Sequence, residues 1–111
     1  MEGFIVKGEV VVVNYPFTDH ANAKKRPAFS IRKHGEDYTL LPITKQAHHD
    51  MRYTHKITNA SFSNGYLAFD SYVRCDTIFT LHESLVDRAI GQIKQIDVDA
   101  VIEKVVDFIK N

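Results

Sequence analysis

The sequence contains a single cysteine, Cys75, which cannot form a disulfide within the chain. A lone cysteine is typical of proteins kept in a reducing compartment, so we expect a cytoplasmic protein. The sequence also lacks any apolar stretch that approaches the roughly 20 residues of a membrane-spanning helix. Residues 1–6 lack the basic start of a signal peptide. We therefore expect neither a membrane anchor nor a secretion signal.

An excess of either charge is also missing, because 14 Lys and Arg residues balance 14 Asp and Glu residues. This balance argues against a nonspecific nucleic-acid binder, which is usually basic overall, but it leaves room for a local basic patch. At 111 residues, with 44% hydrophobic and 25% charged residues, the chain is expected to form one domain, residues 1–111, with one modest core. Small domains often gain stability from a second subunit, so we expect a homodimer.

Short segments with the pattern of β-strands occupy most of the chain up to residue 93. Strands are predicted at residues 10–15, 27–32, 38–43, 56–58, 66–69, 71–79 and 88–93. The stretch HGED at residues 34–37 predicts a tight turn that joins the second and third strands in a hairpin. The Asn64-Gly65 dipeptide predicts another turn. Residues 44–64 are polar and have the weakest pattern.

The last segment has helical rather than strand periodicity. Its apolar positions, spaced by three and four residues, are Val98, Val101, Ile102, Val105 and Ile109. We expect this stripe to pack on the sheet, with Asp97 as the N-cap and Asp99 favourably placed at the positive end of the helix dipole. Pattern alone leaves an SH3-like barrel, an OB-like barrel and a split α+β sheet open.

Four segments together resemble the MazF/PemK family of toxins. They are GEVVVV at 8–13 with YPFTD at 15–19, KKRPA at 24–28, LPITKQ at 41–46, and SYVRCD at 71–76. The resemblance implies a mainly β fold with some α-helix. The expected architecture is a small SH3-like β-barrel followed by a C-terminal helix, as in CcdB/MazF/PemK-like proteins. It further implies a homodimer that cleaves single-stranded RNA without metal or cofactor, and a cognate antitoxin whose disordered tail covers the RNA site.

Two residues match the catalytic positions of that family, Arg26 and Thr44. Arginine keeps its proton at neutral pH, so we expect Arg26 to hold phosphate oxygens through its bidentate fork rather than to act as a base. We expect Thr44 to donate a hydrogen bond to a phosphoryl or leaving oxygen. The acceptor of the 2′-hydroxyl proton stays open. A surface salt bridge for Arg26 and a turn-capping hydroxyl for Thr44 are the alternative roles.

RNA-binding residues are predicted on either side of these two positions. Lys24 and Lys25 extend the positive charge beside Arg26 and could follow an RNA backbone. Phe17, like its neighbour Tyr15, could stack a base or fill the mouth of the barrel. A further pair, Lys45 and Gln46, follows Thr44 and could read a base edge or a phosphate.

Arg74 and Asp76 share one strand face by their spacing of two, and we expect an ion pair that supports the site or the dimer. His48, His49 and His55 lie in the segment with the weakest pattern. A histidine-based ribonuclease or a metal site with Asp50 is conceivable there, but exposed loop histidines are the preferred interpretation.

Two other classes of function remain alternatives to the ribonuclease. One is a CcdB-like toxin that binds DNA gyrase through the end of the C-terminal helix, residues 107–111. The other is a non-catalytic SH3-like binding module, which the presence of both Arg26 and Thr44 disfavours.

Overall fold

The computed structural model describes residues 7–14, 24–46 and 51–111, and these form strands followed by one helix. The strands are β1 (Glu9–Asn14), β2 (Lys25–His34), β3 (Asp37–Thr44), β4 (Thr54–Ile57), β5 (Phe62–Gly65), β6 (Ser71–Arg74), β7 (Phe79–His82) and β8 (Val86–Ile93). The helix is α1 (Gln95–Lys110), and single 3₁₀ turns occupy Met51–Tyr53, Asn59–Ser61 and Glu83–Leu85. No helix among these residues is both long and apolar enough to cross a membrane.

All the strands join one antiparallel sheet in the order β4-β6-β3-β2-β1-β8-β5, with β7 also paired to β3. One edge of β3 pairs with β2, and the other edge is shared. It pairs with β7 from Asp37 to Leu40 and with β6 at Ile43 and Thr44. Pro42, which has no N–H to donate, lies between these two pairings. The sheet is therefore curled rather than flat.

Both faces of the sheet bury side chains, because alternate residues of a strand point to opposite faces. Phe29 and Leu41 belong to the cluster under α1, which receives Val98, Val101 and Val105 from the helix. Ala28 and Leu40 belong to a second cluster on the opposite face. This two-sided burial explains the run of valines in β1, where Val10 and Val11 are no more than 1% exposed.

The predicted helix is confirmed, but two of its details were wrong. The helix begins at Gln95 with Lys94 as the N-cap, so Asp97 lies in the first turn instead of capping it. Its carboxylate instead contacts His55 of β4, with 2.9 Å between Oδ1 and Nε2. At the other end Ile109 is 66% exposed, and Phe108 makes the contact, an edge-on packing against Tyr53 at 5.3 Å between ring centroids.

The predicted hairpin of the second and third strands is also confirmed, with Gly35 at a positive φ of 63° in its turn. Predictions were less accurate between β4 and β7. Residues 66–69 are irregular instead of a strand, and the predicted strand at 71–79 is split into β6 and the start of β7. Asn64-Gly65 is the end of β5, not a turn, and pairs with β8. Gly65 is needed there because a Cβ would overlap the backbone of Ile90 and Gly91.

Candidate functional site

The hairpin of β2 and β3 brings the two predicted catalytic positions to the same end of the sheet. Ala28 pairs with Pro42 in the antiparallel register. Counting two residues outward along each strand from that pair reaches Arg26 on β2 and Thr44 on β3. Residues two apart on a strand share a face. The register therefore places Arg26, at the start of β2, and Thr44, at the end of β3, on the same face of the sheet.

A groove of about 540 Å³ opens at this end of the sheet, and we call it the hairpin-end groove. Its lining residues come from the start of β2, the end of β3 and the segment before β6: Lys24, Lys25, Arg26, Pro27, Ile43, Thr44, Lys45, Gln46, Leu67, Ala68, Phe69 and Ser71. The groove therefore brings together six of the predicted site residues. Phe17, the predicted base-stacking residue, and its neighbour Tyr15 lie outside the described residues.

The described charged residues of the hairpin-end groove are of one sign, although the whole chain is neutral. Among its described lining residues, Lys24, Lys25, Arg26 and Lys45 are cations and none is a carboxylate. A concave site lined by one sign of charge attracts ligands of the opposite sign. The arrangement suits an anionic ligand such as a phosphodiester.

The cations of the groove differ in their surroundings. Lys25 reaches Asp87 of β8 at 3.3 Å between Nζ and Oδ2, and Asp87 also contacts Arg88. The hydrogen bond and charge of Lys25, with a smaller contribution from Arg88, hold the pKa of Asp87 below its ordinary value. Lys25 thus shares its charge with a carboxylate on β8, the strand beyond β1, so its contribution to the groove is weaker than the sequence alone indicates.

Thr44 is held on two sides. In the sheet Thr44 pairs with Tyr72 of β6. Its side-chain Oγ1 accepts a hydrogen bond from the backbone N–H of Gln46 at 3.2 Å. This contact is the turn-capping role considered as the alternative. Accepting a hydrogen bond uses a lone pair of the hydroxyl, so the proton of the same hydroxyl stays available to donate. Capping and donation to a ligand are therefore compatible.

Arg74 and Asp76 form the expected ion pair outside the lining of the groove. Arg74 Nε donates to Asp76 Oδ1 at 3.1 Å, and Nη2 donates to Oδ2 at 3.3 Å. Partial burial raises the pKa of Asp76, but the hydrogen bonds from Arg74 and Thr77 and the charge of Arg74 together outweigh that effect, so the pKa lies below its ordinary value. The two residues do not share a strand face as predicted, because β6 ends at Arg74 and Asp76 lies beyond the strand.

Of the histidines considered as catalysts or metal ligands, His48 and His49 lie outside the described residues. The interpretation of His55 as an exposed loop residue was wrong, since it lies on β4, half-buried against Asp97. In the part of the chain that the structure describes, no three potential metal-ligating side chains come together. Cys75 is fully buried in the cluster under α1. Desolvation is the main cause that raises the pKa of its thiol to about 11.

The segment before β6 supplies a wall of the groove that the sequence did not predict. Phe69 is 63% exposed there, and the Nζ of Lys45 lies 4.8 Å from the centroid of its ring. The only signal in the sequence was an aromatic residue beside the polar pair Asp70-Ser71. The prediction of a strand at 66–69 concealed that signal, because a strand residue would pack rather than face a groove.

Comparison with known proteins identifies what this chain and its fold are similar to. The model of a family described as PemK-like, MazF-like toxins of type II toxin-antitoxin systems matches residues 6–109. Among curated proteins, no match to the chain is found.

Solved structures with the same fold cover nearly the whole chain. A Mycobacterium tuberculosis toxin, MazF-mt6, has a TM-score of 0.73 at 20% identity, covering 92% of this chain and 96% of its own. A mycobacterial endoribonuclease in complex with its cognate antitoxin has a TM-score of 0.74 at 12% identity, with coverages of 94% and 93%. The MazE-MazF structure from Deinococcus radiodurans gives 0.71 at 17%, with 94% of both chains covered. The predicted fold class, mainly β with a C-terminal helix and MazF/PemK-like, is thus confirmed.

Proposed function

The chain belongs to the PemK-like, MazF-like toxins of type II toxin-antitoxin systems, and we propose that it is an endoribonuclease that cleaves single-stranded RNA without a metal ion. One observation carries the proposal beyond family membership. The hairpin-end groove contains Arg26 and Thr44 together, among four cations and, in its described lining, no carboxylate. RNA is the anionic polymer whose backbone such a groove would attract, and similar solved proteins are endoribonucleases.

The proposed reaction uses the 2′-hydroxyl of the RNA as the nucleophile. Its oxygen forms a bond to phosphorus, and the bond from phosphorus to the 5′ oxygen breaks. The leaving 5′ oxygen takes up a proton, so the products are a cyclic phosphate and a free 5′-hydroxyl. Arg26 holds two phosphate oxygens with its planar fork while negative charge develops on them. Arg26 keeps its own proton at neutral pH, so the 2′-hydroxyl proton passes to another acceptor.

Thr44 would complete the site as a hydrogen-bond donor. The register of β2 and β3 brings Thr44 beside the start of β2, and from there its hydroxyl would donate to a phosphoryl or leaving oxygen held by Arg26. Lys24, Lys45 and Gln46 would bind the flanking backbone or base edges. The Arg74–Asp76 pair would stabilise the start of the segment that follows β6.

The partner we propose is a cognate antitoxin that covers the hairpin-end groove. Two of the similar solved structures contain a partner, one an endoribonuclease in complex with its cognate antitoxin and one described as MazE-MazF. A groove of cations would favour an acidic segment in that partner. We further propose that the curled sheet is of the SH3-like type, that the protein is a homodimer, and that it acts in the cytoplasm.

The gyrase-binding alternative finds less support in the end of the helix. Phe108, the aromatic residue of that end, packs against Tyr53, and Asn111 Nδ2 donates back to the carbonyl of Asp107 at 2.8 Å. These side chains are engaged within the chain. The non-catalytic alternative leaves the shared position of Arg26 and Thr44 without a purpose.

The test is an RNA cleavage assay with the purified protein in excess EDTA. Long single-stranded RNA should be cut by the wild type and left intact by Arg26→Ala. Arg32→Ala is the matched control, because Arg32 is exposed on the same strand but does not line the groove. Loss of cleavage on adding EDTA, or full cleavage by Arg26→Ala, would contradict the proposal.

A further inference from the structure

The ring of Phe69 is exposed on a segment whose backbone is anchored. The hydroxyl of Ser71, itself only 4% exposed, donates to the carbonyl of Phe69 at 2.9 Å. Two residues earlier, the N–H of Leu67 donates to the side-chain oxygen of Asn59 at 3.3 Å. The side chain of Leu67 packs on the core cluster under α1. The ring is therefore presented at the groove from a fixed position, although 63% of the residue remains in contact with solvent.

Exposure alone does not make an aromatic residue a binding site, because single exposed hydrophobic side chains are common. Two further observations separate Phe69 from such residues. It lines a groove whose described charged residues are all cations. The ammonium of Lys45 also lies 4.8 Å from the ring centroid, a distance at which the negative face of the ring attracts a cation.

The Lys45 contact also fixes where the ring lies relative to the proposed chemistry. Lys45 directly follows Thr44, and Thr44 is paired with Tyr72, three residues after Phe69. The end of β3 and the segment just before β6 thus bring Thr44 and Phe69 into the lining of the same groove. A nucleotide whose base lies on the ring would be next to the phosphate held at Thr44.

We propose that Phe69 is a base-stacking residue that positions the nucleotide flanking the scissile phosphate, and that Lys45 exchanges the ring face for a phosphate oxygen when RNA binds. The inference rests on the proposed ribonuclease function. Every base has a π-face, so stacking on Phe69 would require a base at one position of the RNA but would not distinguish which base it is. The exchange gives Lys45 a stronger partner, because a phosphate is a full anion and the ring is a quadrupole.

The test removes the base and the ring separately and together. A cleavage site is first mapped on long RNA, and a short oligonucleotide spanning it is made with a 2′-deoxy nucleotide at the cleaved position, so that it binds without reacting. A series of such oligonucleotides carries one abasic nucleotide at each position in turn. Binding of every oligonucleotide is measured for the wild type, Phe69→Ala, Phe69→Leu, Phe69→Trp and Tyr66→Ala.

We expect the wild type to lose roughly 5- to 150-fold in affinity when the base is missing at one position next to the cleaved bond. Phe69→Ala and Phe69→Leu should lose a similar factor with the intact oligonucleotide and nothing more with that abasic one. Phe69→Trp should restore the wild-type pattern. Tyr66→Ala is the matched control, because Tyr66 is 68% exposed in the same segment but does not line the groove.

Losses that are equal in the wild type and in Phe69→Ala at every abasic position would overturn the inference, as would unchanged binding by Phe69→Ala. A purely structural effect of the substitution would lower affinity evenly along the RNA and would lower the melting temperature, which is measured on the same samples. If the wild type cleaves and binds RNA but the abasic position weakens binding equally in the wild type and in Phe69→Ala, only the role of Phe69 fails. If the wild type does neither, the proposed function itself fails, and this inference with it.

Discussion

The hairpin-end groove and the contact between β4 and α1 are both rich in polar side chains, but they use them in opposite ways. We call the second region the helix seam, defined by Tyr53, Thr54, His55, Asp97, Lys104 and Phe108. In the seam His55 contacts Asp97 at 2.9 Å, and Lys104 Nζ donates to the carbonyl of Thr54 at 2.8 Å. In the groove the described charged side chains are all cations. Polar groups paired within the chain hold elements together, whereas a groove whose described charges are of one sign suits an anionic ligand.

This difference has an energetic consequence. Cations near one another repel, so the groove contributes little to the stability of the fold and is free to be optimised for binding. The seam covers the core cluster under α1, where Val98 and Val101 are no more than 2% exposed. The polar contacts of the seam fix how the helix lies on that cluster. Substitutions in the groove should therefore alter activity with little change in stability, and substitutions at the seam should do the reverse.

The largest effect should come from Arg26→Lys, which keeps the charge of the groove and removes the bidentate fork. We expect the cleavage rate to fall by about 100- to 1000-fold, because the loss concerns charge that develops in the transition state. The melting temperature should stay close to that of the wild type. Rates on a mapped oligonucleotide and thermal unfolding by circular dichroism measure the two quantities, with Arg32→Lys as the control. Near-normal cleavage would exclude the bidentate role.

Ile57→Ala tests the core cluster that the helix seam covers. Ile57 is 1% exposed on β4 in the cluster under α1, so its truncation leaves a cavity and should lower the free energy of unfolding by about 2–5 kcal/mol. Urea unfolding measures this change. Ile96→Ala on the helix, where Ile96 is 76% exposed, should change it little. The fraction of Ile57→Ala that stays folded should cleave RNA at the wild-type rate, and a slower rate would mean that the two regions are coupled.

Thr44→Val removes the proposed donor while keeping the shape of the side chain. A hydrogen bond to a charged group is worth about 1.5–3 kcal/mol, so we expect a loss in cleavage rate of about 10- to 100-fold. Thr44→Ser should retain most of the activity, because it keeps both the hydroxyl and the bond accepted from Gln46. If Thr44→Ser were as slow as Thr44→Val, the hydroxyl would not be the group that matters.

Asp76→Asn should give the smallest effect, about 1 kcal/mol, because its ion pair with Arg74 is partly exposed. Arg74 pairs with Thr54 of the seam, so we expect a change in stability and none in cleavage. The pKa of Asp76 is lower in the folded state than its ordinary 3.8. Its contribution is therefore complete above that pH and is lost as the pH falls below it. The difference in unfolding free energy between wild type and variant should shrink from pH 6 to pH 2, and a constant difference would contradict the role of the charge.

Local pattern predicted the elements whose signal is long and regular. The valine run of β1, the hairpin turn at Gly35 and the helical stripe led by Val98 and Val101 were all confirmed. The strands between β4 and β7 are only four residues long, so they contain too few alternations to be distinguished from loops. Pairing with distant strands, such as Gly65 with Gly91, defines them instead.

The candidate site divides in the same way. Resemblance to a family pointed to Arg26 and Thr44, and the register of β2 and β3 brings both to one groove; their catalytic roles stay predictions. Phe69 could not be predicted, because its exposure depends on anchors at Asn59 and Ser71 and on the cation of Lys45. His55 was misplaced for the same reason, since its partner Asp97 is 42 residues away.

The sequence by itself determined the long strands β1 to β3, the amphipathic helix and the family, because these follow from residues within a few positions of one another or from short motifs in a fixed order. Only the tertiary structure decided which charged side chains meet a partner within the chain and which ones come together in the groove, and Lys25 does both. A side chain's partner is set by contacts between strands and helix far apart in sequence. The contrast between Asp97 against His55 and Lys45 over Phe69 became visible only in the folded chain.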